Sequence, residues 1–139
     1  MFIEHITEFD DRLSIVECML DEIEGITTNS FNINPYREIK SLYYLGFQVD
    51  LPACVLEAYS ESVSEVLILN FGLISSLQGV GLGKLFLLSF EELFRNQGYS
   101  NILLTATPKS LGFYAAMNYV KIGKSEFSLV KNILNKPNK

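Results

Sequence analysis

The sequence predicts a mixed α/β chain, a sheet flanked by helices, and three observations carry that prediction. Residues 66–74 form a long, nearly continuous apolar run, as a central strand covered on both faces would. A second apolar run spans 101–107. The strongest helical pattern of the chain, from Gly83 to about Asn96, lies between them. With 139 residues, the chain suits one domain with a real core, read here as residues 1–131 followed by a polar tail at 132–139.

The elements follow in order. Residues 2–6 read as a short first strand. Asp10 and Asp11 suit a helix start, and Leu13, Val16, Met19, Leu20 and Ile23 then recur at helical spacing until Gly25. The stretch 26–35 is rich in Thr, Asn and Ser and reads as a loop or a broken helix, and 36–45 as a short helix passing into a strand. Two strands, 42–49 and 53–59, are joined through Asp50, Leu51 and Pro52, and 60–64 is a polar turn. In the central helix Leu82, Phe86, Phe90, Leu93 and Phe94 share a stripe that Leu85, Leu87 and Leu88 widen, which predicts deep packing. Gln97-Gly98 stops it. A short helix is expected within 108–118, then strands at 119–121 and 126–130 around a turn at 123–125.

Composition excludes several classes. Hydrophobic residues make up 48 % and charged residues 19 %, the balance of a globular chain. No apolar stretch is long enough to cross a bilayer, and the N-terminus lacks a secretion-signal pattern, so the expected location is cytoplasmic. The net charge of −5 argues against binding a nucleic-acid backbone; it fits a cationic substrate or ordinary solubility charge. Cys18 and Cys54 have no metal spacing and read as two buried free thiols. A single histidine, His5, rules out a zinc site built on several histidines, and no nucleophile elbow is present.

The densest signal is Gln78-Gly79-Val80-Gly81-Leu82-Gly83-Lys84. Three alternate glycines between a strand and a helix imply a ligand approaching backbone N–H groups, which at a helix N-terminus means a phosphate. The P-loop pattern fails, because its first glycine falls at Gln78 and its hydroxyl position is Leu85. The dinucleotide fingerprint fails from either start, its third glycine falling at Lys84 or Phe86. Arg/Gln-x-x-Gly-x-Gly/Ala is matched throughout, and it resembles the pyrophosphate loop of the GNAT superfamily of acetyl-coenzyme A (acetyl-CoA) dependent N-acetyltransferases. The strand before the loop, the strand at 102–107 and Leu111-Gly112-Phe113-Tyr114-Ala115-Ala116-Met117-Asn118-Tyr119 lie in the family's order over about 66–120. Ser75 stands where proline is common. Asn118 replaces a glycine and suits a left-handed helix cap. Thr107 lies near a position where many members place an asparagine on the cofactor.

The resemblance implies a GNAT-like fold whose sheet splays open beside Leu73. The pantetheine arm would pair with main-chain groups of Leu73, Ile74 and Ser75, and the pyrophosphate would take N–H groups from Gly79, Val80, Gly81, Leu82, Gly83 and Lys84, with Gln78 opening the loop. Thr107 and Tyr114 complete the implied acetyl-CoA site, which needs no metal. A Leu73 N–H would polarise the thioester carbonyl. Tyr114 holds the family's general-acid position. The family's strand glutamate is missing here, since Ile68 falls near its place, so Glu57 and Glu65 are the candidate bases, alongside a water relay with none. Lys84 either faces phosphate or is an ordinary surface lysine, and Phe113 reads as core. Phe31, Tyr36, Tyr43 and Tyr44 either line an acceptor pocket or belong to an aromatic core. The implied activity moves an acetyl group from acetyl-CoA to an amine of a small molecule or a protein by direct attack. A non-catalytic acyl-CoA sensor on the same fold is the alternative, and a toxin-like module acting on a macromolecule a third option. No nucleic-acid or membrane partner is expected, and a homodimer is left open.

Overall fold

The computed structural model describes residues 2–7, 10–22, 42–78 and 81–134. Among them seven strands form one sheet, in the order β1-β2-β3-β4-β5-β7-β6. The elements are β1 (Phe2–Ile6), α1 (Leu13–Glu22), β2 (Leu42–Gln48), β3 (Leu51–Ser60), β4 (Glu65–Leu73), a 3₁₀ turn at Ser75–Leu77, α2 (Leu82–Asn96), β5 (Asn101–Thr105), α3 (Leu111–Ala116), β6 (Val120–Lys121) and β7 (Ser128–Asn132). Every strand pair is antiparallel except β4 with β5, which α2 connects. No helix among the described residues is long and apolar enough to cross a membrane.

Strand alternation divides the core between two faces. Cys54, Leu56 and Ala58 of β3 pack with Phe86, Leu87, Phe90 and Phe94 of α2, whereas Val55 joins Leu45, Phe47, Val16 and Met19 on the α1 side. On β4 the α2-facing residues switch from Val66 and Ile68 to Phe71 and Leu73. The switch marks a β-bulge: Glu57 pairs with Asn70 but Ala58 pairs with Ile68, so Leu69 is the extra residue. A bulge bends its strand and sharpens the local twist. The parallel ladder between β4 and β5 ends there, its last register pair being Ile68 with Leu104, while β4 continues to Leu73. The sheet therefore opens where the splay was expected.

Helix α2 begins at Gly81, which is left-handed (φ 82). It ends in a Schellman motif, with Tyr99 N–H donating to the Phe94 carbonyl, Gly98 N–H to that of Arg95, and Gly98 at φ 98. Asn118 closes α3 in the same way at φ 71, the left-handed cap expected of it. The stripe on α2 is narrower than its sequence suggests, since Leu85 is exposed. Cys18 is also exposed and only Cys54 is buried, because α1 turns Cys18 away from the face that Val16 and Met19 pack. Ile133, assigned to the tail, is buried, and its N–H donates to Ser100 at 2.8 Å.

Gly46 on β2 lets α2 approach the sheet. A Cβ there would lie 2.5 Å from the Phe86 ring and would also meet Cys54 Sγ. Gly46→Ala is therefore expected to destabilise the protein by about 1–3 kcal/mol through overpacking, read as a lower urea midpoint.

Candidate active site

A cleft of about 330 Å³ opens at the mouth of the splay, lined by Leu73, Leu77, Gln78, Gly81, Gly83, Lys84, Phe113, Ala116 and Met117. One wall is the N-terminus of α2, where unpaired N–H groups and the positive end of the helix dipole favour an anion. Lys84 is exposed in that first turn and adds a positive charge. The opposite wall is a face of α3, on which Phe113, Ala116 and Met117 recur at helical spacing. Phe113 stacks on Phe71 with ring centroids 6.4 Å apart, so it serves as both wall and half-buried core. Gly79 and Val80, the centre of the glycine motif, lie outside the described residues, as do Phe31 and Tyr36.

The strand pairing determines which main-chain groups face the cleft. Ile74 N–H donates to the Ala53 carbonyl at 3.0 Å, and its own carbonyl accepts from Leu77 N–H at 3.0 Å. Both groups are thus engaged within the fold. Antiparallel pairing alternates, so the N–H and carbonyl of Leu73 point away from β3, toward the gap left by β5. The Leu73 carbonyl accepts from Gln78 Nε2 at 3.0 Å. Ser75 opens the 3₁₀ turn beyond it.

The two candidate bases separate clearly. Glu65 starts β4 and hydrogen-bonds Ser62, at the far end of the strand from Leu73, roughly 26 Å away at 3.3 Å per residue. It is too distant to serve. Glu57, expected on a solvated face, is instead 1 % exposed. Its Oε1 accepts from Asn70 Nδ2 at 2.8 Å across the bulge. A glutamate this deeply buried is uncommon and marks Glu57 as a functional candidate.

Tyr114 is completely buried beside the cleft, in edge contact with Phe113 and Tyr119. Its hydroxyl has no hydrogen-bond partner among the described residues. Burial pushes the phenol well above its ordinary range, so it keeps its proton at every physiological pH. Thr107 N–H donates to Ser110 Oγ at 2.9 Å and its Oγ1 accepts from Ser110 N–H at 3.2 Å, a reciprocal turn that opens α3. Tyr44 belongs to the core against Phe90 and Phe94.

Sequence reasoning missed one buried network. Glu91 of α2, 1 % exposed, accepts from Tyr119 OH at 2.9 Å and from Lys131 Nζ at 2.8 Å. A glutamate on the apolar stripe, one turn after Leu87, was the local sign of it.

No family model and no curated protein matches the chain in sequence. Solved structures do match its architecture. Tetrahymena GCN5 superposes with a TM-score of 0.72 at 9 % identity, over 96 % of this chain and 96 % of that chain. The chain has the fold of the GNAT N-acetyltransferases. The ribosomal-protein-S18-alanine N-acetyltransferase of Escherichia coli matches this GNAT fold with a TM-score of 0.60 at 10 % identity, over 93 % and 91 % of the two chains. Rv2747 of Mycobacterium tuberculosis, solved in complex with CoA and NLQ, matches with a TM-score of 0.64 at 11 % identity, over 88 % and 74 %.

Proposed function

We propose that the protein is an N-acetyltransferase that passes the acetyl group of acetyl-CoA to a primary amine of a small molecule or protein. The supporting observation is the cleft itself: a sheet parted after Ile68, a glycine-started helix N-terminus at one end and the outward main chain of Leu73 at the other. These parts fit an acyl-CoA. The first turn of α2 and Lys84 suit phosphates, the apolar walls suit a pantetheine arm, and the Leu73 N–H suits a carbonyl oxygen that gains charge. Acetyl-CoA supplies the activated thioester.

The chain supplies position and proton handling. Bringing amine and thioester together accounts for a large share of rate in such reactions, about 7 kcal/mol or more in favourable cases. Glu57 takes the proton of the incoming amine through a short relay of waters: it pairs with Asn70, three residues before Leu73, so roughly 10 Å along the strand. Tyr114 donates a hydrogen bond to the departing sulfur. A phenol raised by burial holds its proton too tightly to surrender it fully to an ordinary thiolate, so its contribution is that hydrogen bond.

Free-thiol release from acetyl-CoA across a panel of amines tests the reading, and silence with every acceptor counts against it. Tyr114→Phe is expected to lower kcat about 10²-fold with CoA affinity retained. Its unfolding midpoint should not fall, because the lost hydroxyl has no partner. Unchanged kcat would remove Tyr114 from the mechanism. A non-catalytic sensor would bind CoA and release no thiol in any variant.

A further inference from the structure

The cleft is bridged by one of its own side chains. Gln78 Nε2 donates to the Leu73 carbonyl at 3.0 Å, and both residues line the cleft. That carbonyl points into the gap because the neighbouring Ile74 N–H is taken by Ala53. With both Ile74 groups engaged, Leu73 is the residue through which the end of β4 offers an acceptor to a ligand. The acceptor is met by a carboxamide N–H, and an amide N–H is also what a pantetheine arm carries. We propose that Gln78 is a place-holder for the pantetheine amide, competing with it for the Leu73 carbonyl.

The inference rests on the acyl-CoA reading. In the free protein the Gln78 carboxamide satisfies a carbonyl that would otherwise face an apolar cleft unpaired. When an arm enters, its amide N–H replaces that of Gln78, and the carbonyl is paired in both states. Gln78 is also the first residue of the phosphate loop, so the exchange frees the loop's first side chain as the arm seats. A ligand with no N–H at that reach has nothing to exchange and leaves Gln78 in place.

Titration calorimetry of the wild type and Gln78→Leu with CoA, pantetheine and 3′,5′-ADP tests this. Leucine leaves no bond to break, so pantetheine and CoA should bind about two- to tenfold more tightly, the worth of one net hydrogen bond. 3′,5′-ADP, which carries the phosphates without the arm, should bind equally to both. In the wild type, the Gln78 side-chain amide resonances should shift with pantetheine and stay fixed with 3′,5′-ADP, a readout that needs no variant. Weaker binding of all three ligands by Gln78→Leu would show that Gln78 braces the loop and would overturn the proposal, as would resonances that ignore pantetheine. A wild type that binds none of the three would overturn the acyl-CoA reading and the place-holder with it.

Discussion

Gly81→Val is expected to weaken CoA binding by about 10- to 100-fold while scarcely changing the stability of the free protein. Gly81 starts α2 at φ 82, ψ 1, a left-handed conformation that a β-branched residue adopts only at a cost of about 1–3 kcal/mol. A Cβ there would meet nothing within 4 Å, so no packing clash adds to that strain. Without ligand the turn relaxes toward ordinary φ values and most of the strain disappears. An anion seated on the first turn of α2 needs the turn as it stands, and the strain then appears in the binding free energy, tenfold for each 1.4 kcal/mol. Gly81→Asn is the control, because asparagine tolerates the left-handed region, and it should retain most of the affinity. Titration calorimetry with CoA, beside a melting curve for each variant, checks both halves. A valine variant that binds CoA as tightly as the wild type would remove this turn from the binding site.

Much of this site was readable because its signals are local. A phosphate-gripping turn needs glycine at particular backbone positions, so Gly81 announces its left-handed turn in the sequence itself. Strand β4 was legible for a similar reason: burial on both faces leaves an unbroken apolar run, read as 66–74 and found at Glu65–Leu73. The bulge at Leu69 was not legible, since it exists only in the register against β3. With it went the position of Glu57, because Asn70 is thirteen residues away and meets it only across that register. Without the pairing, a strand glutamate reads as solvated. The turn at Thr107 went unread although its signal is local: Thr107 and Ser110, three apart before a helix, bond reciprocally. Glu91 gave half a signal, a charge on an apolar stripe, but its partner Lys131 lies 40 residues on.

That pair carries the largest expected effect on stability, and the effect is asymmetric. The side chain of Glu91 is 1 % exposed and that of Lys131 is 15 % exposed. Lys131→Met removes the cation and strands a carboxylate with no route to water, leaving only the Tyr119 hydroxyl to stabilise it. Its expected cost is about 3–5 kcal/mol. Lys131 Nζ also lies 5.5 Å from the centre of the Tyr119 ring, and that attraction is lost too. Glu91→Gln strands the ammonium instead, but a long flexible side chain at the edge of the core can turn its head outward. The glutamine oxygen can still accept from Tyr119, so this change should cost about 1–3 kcal/mol. Glu91→Met, Lys131→Met and Tyr119→Phe combined remove every polar group of the network at once. The combined variant should be more stable than Lys131→Met alone, since a buried ion pair replaced whole by apolar groups of similar size is often neutral. Urea unfolding of the four proteins at constant slope gives the order directly. A Lys131→Met protein no less stable than Glu91→Gln would mean that the Glu91 carboxylate reaches water, and that α2 is held against α3 and β7 by packing alone.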